Sequence, residues 1–170
     1  MNTNNPENSK MSKTGQMAGS LFLQIGRLLF ALVFIFSGFV KAIDPLGSTY
    51  KIEDYLRTFG GFFESMADYA FPFAIALSTL ELLIGLNLLF KVHINLTTII
   101  ALIFMSVMTP LTLYIAIKNP VTDCGCFGDA LVISNWATFL KNIVLIILII
   151  TMFIYQHKFR PFLSSQVQNI

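Results

Sequence analysis

WATFLKNIVLIILIITMFIY, residues 136–155, decides what kind of chain this is. It is a run of 20 residues with Lys141 as its one charge. Wound as a helix at about 1.5 Å per residue, it reaches the roughly 30 Å of a bilayer's hydrocarbon core. Trp136 and Tyr155 bracket it where aromatic side chains anchor a span at the two membrane interfaces.

Working outward, three further stretches have the same reach: Leu21–Val40, Phe71–Phe90 and Ile94–Ile117. The whole chain is 55% hydrophobic and only 12% charged, with a mean hydropathy of +0.73. A water-facing domain carries about a quarter charged residues. A net charge of +2, dispersed along the sequence, excludes a nucleic-acid footprint. The 170 residues make one domain. The fold class is all-α: a four-helix transmembrane bundle over 21–156, embedded in a lipid bilayer. A polar tail, 1–20, rich in Asn, Ser and Lys, is expected to be disordered, and 157–170 forms a C-terminal tail. The first span is too long for a signal-peptide core and lacks a small-x-small site after it, so it reads as an uncleaved anchor.

Four spans put both termini, and the short loop Lys91–His93, on one side. The long segment Lys41–Ala70 and the loop 118–135 share the other. Positive charge does not orient the bundle, since Lys10, Lys13, Lys91, Lys158 and Arg160 on one face balance Lys41, Lys51, Arg57, Lys118 and Lys141 on the other.

Within 44–70, Asp44-Pro45 is a helix-start signal. Ile52, Tyr55, Leu56 and Phe59 then recur at helical spacing opposite Glu53, Asp54 and Arg57. Gly60-Gly61 breaks this amphipathic helix, and a shorter stripe follows through Phe62, Phe63, Met66 and Tyr69. Such a segment lies on the membrane surface or over the bundle mouth; a sharper reading makes it a lid over a site. Pro110, after Thr109, is expected to kink the third span, with Thr109 or a neighbouring helix meeting the freed carbonyl. Ser37-Gly38 and Gly85 allow close helix approach.

Chemistry concentrates in the loop Asp-Cys-Gly-Cys-Phe-Gly-Asp, 123–129, which holds both cysteines of the chain, Cys124 and Cys126. The two Cα-to-Cα steps from one to the other span about 7 Å at most, and a disulfide prefers Cα atoms about 5.5–6 Å apart. Closure therefore asks Gly125 for a strained or left-handed backbone, and a strained, exposed disulfide exchanges readily. Asp123 and Asp129 work against a thiolate, so a reactive cysteine needs a cation from elsewhere: Lys118, Lys141 or Lys41. Metal binding fails on ligand count, with His93 and His157 on the opposite face. A purely structural staple over so short a loop stabilises little. Cytosolic thiols are kept reduced, which places the loop outside the cell membrane and both termini in the cytoplasm.

Inside the bundle, Arg27 and Glu81 are charges that a bilayer tolerates only when paired. Counting from the span ends, the two lie within a few ångströms of the same depth, so an Arg27–Glu81 ion pair is expected. It serves either to fix helix register or to hold a proton or a quinone headgroup coupled to the thiols.

In order along the chain, Arg27, Ser37-Gly38, Lys41, Glu81 and Gly85 resemble the pattern of DoxX-like membrane proteins. The Asp-Cys-Gly-Cys-Phe-Gly loop resembles that of the methylamine-utilisation protein MauE and its redox-associated relatives. The resemblance covers roughly Gly26–Asn142. It implies an inner-membrane bundle with periplasmic cysteines, a thioredoxin-like periplasmic partner, and a part in maturing a disulfide-rich enzyme subunit in methylamine metabolism. DoxX relatives serve as membrane subunits of oxidoreductases, including thiosulfate:quinone oxidoreductase, which makes a quinone the cofactor to test. The bundle is also similar to vitamin K epoxide reductases, but it lacks their Cys-x-x-Cys motif and second cysteine pair. Three functions follow: thiol–disulfide exchange through Cys124 and Cys126, a non-catalytic anchor subunit with a structural disulfide, and a small transporter using Arg27 and Glu81.

Overall fold

The computed structural model describes residues 6–118, 125 and 133–155, leaving out the side chains of 6–18 and 20. Its helices are α1 (Pro6–Ile43), α2 (Pro45–Phe59), α3 (Ala70–Phe90), α4 (Ile94–Lys118) and α5 (Asn135–Ile154), with a short 3-10 turn over Glu64–Tyr69 before α3. Four of these segments are long and apolar enough to cross a membrane: Leu21–Ile43, Glu64–Phe90, Ile94–Lys118 and Asn135–Ile154. The all-α bundle expected from hydropathy is the observed fold.

Burial along α1 confirms the solvent. Leu21, Phe22, Ile25, Leu28, Leu29, Leu32, Phe36 and Phe39 face outward, while Arg27 and Ser37 are buried beside Leu23, Phe30, Ala31 and Phe34. A helix in water has the reverse pattern, apolar inside and polar outside. In hydrocarbon the polar groups must turn inward to find partners. This is a multi-pass membrane protein.

α1 packs most closely on α3, and α4 on α5, while α2 lies across α3. The core is aromatic at its centre: the Phe30 and Phe34 rings stack at 4.3 Å, and Phe104 meets Phe34 edge-on at 5.7 Å. The α1–α3 seam is set by two glycines. A Cβ on Gly38 would lie 2.6 Å from the Leu82 nitrogen, and one on Gly85 would lie 2.8 Å from the Ile35 nitrogen. Backbone meets backbone there, which fixes how far one helix slides along the other.

α2 forms where the sequence places it. The Asp44 carboxylate accepts from the Gly47 N–H at 3.0 Å, with Pro45 opening the first turn. Gly60 and Gly61 end the helix with φ of 65° and 58°, backbone that a side chain disfavours. Beyond them Phe62 and Phe63 are exposed, Met66 is half-buried and Ala67 is buried. Lys91, left-handed at φ 57°, closes α3, and the Val92 N–H returns to the Asn87 carbonyl at 2.9 Å. That makes the tight turn 91–93.

α1 begins at Pro6, within the polar tail 1–20, upstream of the first span. Once the span is wound no new nucleus is needed, and a proline in the first turn lacks only an N–H that would have no helical partner. α4 runs through Pro110 to Lys118. The Thr109 hydroxyl is buried with no partner among the described residues, so it is not what meets the freed carbonyl.

Candidate functional site

The expected Arg27–Glu81 pair does not form; each residue has other partners. Arg27, 4% exposed, donates from its guanidinium to the Leu88 and Leu89 carbonyls, the latter at 2.9 Å, and to Gln24 Oε1 at 3.2 Å. Those carbonyls are at the end of α3, where the last turn leaves acceptors unsatisfied and the helix dipole is negative. Seven residues of helix separate Leu88 from Glu81, about 10 Å of rise. The span limits placed the two charges level; the glycine contacts between Gly38 and Leu82, and between Gly85 and Ile35, shift the register instead.

Glu81, 5% exposed in the middle of α3, is held from α1. Lys41 Nζ donates to both carboxylate oxygens, at 2.7 and 2.9 Å, and the Ser37 hydroxyl donates to Oε2 at 2.8 Å. Ser37 and Lys41 are four residues apart, so both fall on the face of α1 that meets α3. Three charge-assisted hydrogen bonds satisfy a carboxylate that hydrocarbon would otherwise reject.

This cluster forms one wall of a cavity of about 110 Å³ at the end of the bundle where α2 sits. All five helices line it. α1 gives Val33, Phe34, Ser37 and Lys41, and α2 roofs it with Ser48, Lys51, Ile52 and Tyr55. α3 gives Ala74, Leu77 and Glu81; α5 gives Lys141, Asn142 and Leu145. From α4 come Met108, Leu111 and Thr112, on both sides of Pro110, together with Phe104, Met105 and Ile115. Asn142 donates to the Thr112 hydroxyl at 3.1 Å, tying α4 to α5 across the cavity wall. The amphipathic segment is thus a roof over the bundle mouth, with Ile52 and Tyr55 of its stripe turned inward.

Cys124 and Cys126 lie outside the described residues, but Gly125 between them does not. Its φ is 65°, in the left-handed region, one of the two conformations considered for closing the loop, and it lines the same cavity. Its α-carbon packs against the Lys51 side chain: a Cβ there would collide with Lys51 Cδ, and would sit 3.4 Å from both Cε and the ammonium nitrogen. The dihedral angle favours glycine at this position, and a side chain there would also displace Lys51.

Three lysines, Lys41, Lys51 and Lys141, therefore share the cavity with Gly125. Lys41 and Lys141 are among the cations considered from sequence; Lys118 does not line the cavity. Lys51 is the residue that sequence reading missed. The signal was available, since Ser48, Lys51, Ile52 and Tyr55 share one side of α2 and Lys51 interrupts its apolar stripe. Outside the spans, Arg57 is raised above its ordinary range by its hydrogen bonds to and the charge of Glu53, on the exposed side of α2 away from the cavity.

Comparison with curated proteins and with solved structures gives no significant match in either set. The family profile of methylamine utilisation protein MauE matches residues 19–155, a stretch that takes in all four spans, the roof helix and the cysteine loop. By that match over most of its length, the chain belongs to the MauE family.

Proposed function

We propose that this protein is a membrane component of thiol–disulfide exchange, with Cys124 and Cys126 as the exchanging pair and an extracytoplasmic thioredoxin-like or client protein as its partner. One observation carries the reading: Gly125 has a left-handed backbone compatible with closing a Cys-Gly-Cys ring, and it rests on Lys51 at a cavity lined by two further lysines. On this reading the lysines that line the cavity with Gly125 act on the cysteines on either side of it in sequence. Cations beside a thiol favour the thiolate, the species that attacks a disulfide.

The exchange is a pair of displacements. A partner thiolate attacks one sulfur of the loop disulfide, the loop S–S bond breaks, and the other cysteine leaves as a thiolate that a lysine stabilises. A second thiolate on the partner then attacks the mixed disulfide, releasing the loop as a dithiol and the partner as a disulfide. The bundle's place is the bacterial inner membrane, with the loop on the periplasmic side, where oxidation persists.

The test is trapping in cells. With Cys124→Ser or Cys126→Ser, one of the two variants accumulates a covalent partner that reductant releases, and double replacement abolishes the adduct while leaving the bundle folded. A membrane-impermeant maleimide, applied to intact cells with and without prior reduction, labels the loop only after reduction. If neither variant traps a partner and the thiols are constantly free, the protein is a non-catalytic anchor and the exchange reading is wrong.

A further inference from the structure

The outer face of α4 carries polar groups at a depth where a bilayer holds no water. Ile99, Ile103, Ser106, Pro110, Leu113 and Ile117 follow one another at alternating steps of four and three residues, so they form one row along the helix. Ile103 and Ile117 are 61% and 63% exposed; Ile99, Ser106 and Pro110 are exposed too, and Leu113 is half-buried. Ser106 stands midway between Ile94 and Lys118, the ends of α4, and so at the centre of the span. Pro110 has no N–H, so the Ser106 carbonyl, four residues earlier, loses its helical donor. Lipid supplies none in its place. The outward row of α1, through Ile25, Leu29, Leu32 and Phe36, is apolar throughout and makes no such demand.

We infer that this face of α4 pairs with the same face of a second copy of the chain, giving a parallel two-fold dimer within the membrane. Complementarity of partial charge selects that occupant. Copies inserted with one topology are related by an axis along the membrane normal, so each residue of the row meets its own equivalent at the same depth. At Ser106 this meeting is self-complementary, because a hydroxyl donor and a carbonyl short of a donor belong to the same residue. Each copy's hydroxyl serves the other's carbonyl. The hydroxyl otherwise donates to the Leu102 carbonyl at 2.7 Å, which already accepts the Ser106 N–H in the helical ladder, so the swing strands nothing. The spacing of the row is that of a left-handed two-stranded seam, and isoleucine has one strongly preferred rotamer in a helix, so ordering it costs little. An apolar groove of about 290 Å³ between α3 and α4, lined by Leu80, Ile100, Ile103 and Val107 among others, borders the row and gives the partner's side chains a recess. The pairing needs nothing from the thiol chemistry.

The test puts single cysteines into the full chain in a Cys124→Ser, Cys126→Ser background, in lipid vesicles, and oxidises them briefly with copper phenanthroline. Ile99→Cys, Ile103→Cys and Ser106→Cys should each give a cross-linked dimer, and Leu29→Cys and Leu32→Cys on α1 should not. Affinity is read by counting photobleaching steps of the fluorescently tagged native chain as it is diluted in lipid. Ser106→Ala removes the donor and should weaken association about tenfold. Pro110→Ala returns an N–H to the Ser106 carbonyl and should weaken association about as much; it makes α4 more regular, so its effect does not come from misfolding. Equal cross-linking from α1 and α4, single bleaching steps at every dilution, or indifference to both substitutions overturns the dimer. So does an α4 row that cross-links to another membrane protein in cells while the chain itself counts as single.

Discussion

Replacing Gly38 with alanine tests the seam on which the cavity depends. The new methyl carbon would stand 2.6 Å from the Leu82 nitrogen and 2.8 Å from the Ser78 carbonyl oxygen. Both are helix backbone, which has no rotamer to retreat into. α1 therefore has to withdraw by about 0.8 Å to reach an ordinary 3.4 Å contact. The same movement lengthens the Ser37–Glu81 and Lys41–Glu81 hydrogen bonds, now 2.7 to 2.9 Å, to about 3.5 Å, beyond useful reach. Overpacking of this kind costs about 1–3 kcal/mol, weakened hydrogen bonds to a charge add to it, and alanine's better helix propensity returns about 1 kcal/mol. A net loss of about 2 kcal/mol is expected. It is measured by reversible unfolding in mixed detergent micelles, with Gly19→Ala as the reference. Gly19 is also in α1, but nothing lies within 4 Å of a Cβ built there. If Gly38→Ala is as stable as Gly19→Ala, the register derived from the glycines is wrong.

The Lys41–Glu81 pair predicts an asymmetry. Lys41→Met strands a buried carboxylate and should cost about 3 kcal/mol, whereas Glu81→Gln leaves a lysine that reaches water at the mouth and should cost about 1 kcal/mol. The double variant Lys41→Met, Glu81→Gln should recover most of the larger loss; equal single effects would refute the pairing. Lys51→Met should slow alkylation of the reduced loop about threefold to tenfold near neutral pH by raising the thiol pKa, an effect visible in the pH profile of the rate; an unchanged profile removes Lys51 from the thiolate's surroundings. Glu53→Gln, on the exposed side of α2, should leave stability unaltered at low and high salt. Because Arg57 is raised above its ordinary range, any stability it lends is complete throughout the neutral and mildly alkaline range and lost only in strong alkali. A stability change with pH between about 6 and 10 that vanishes in Glu53→Gln would contradict this.

Hydropathy made the four spans legible, and local chemistry did the same for α2. Pro45 after Asp44 marks its start and Gly60-Gly61 its end, because each of these residues permits one backbone and forbids another. The left-handed backbone of Gly125 was legible for the same reason. What sequence did not give was depth. Arg27 and Glu81 looked level because span limits were read from where apolar residues begin and stop. Register is fixed instead by the closest backbone contacts, at Gly38 and Gly85, and the charges then find whatever lies opposite: helix-end carbonyls for Arg27, Lys41 and Ser37 for Glu81. Lys51 escaped notice because its relevance depends on a loop that is far away in sequence and touches it only after folding.

The lysines beneath the roof come from α1, α2 and α5, which has a bearing on how the chain is made. As a ribosome feeds helices into the membrane, the first two of these ammoniums arrive long before the third, and the cysteines follow in sequence between them. On the proposed chemistry, sulfur next to a half-built wall stays a sluggish thiol. Only insertion of the last helix completes the cation cluster, so an unfinished protein is spared from seizing the wrong partner.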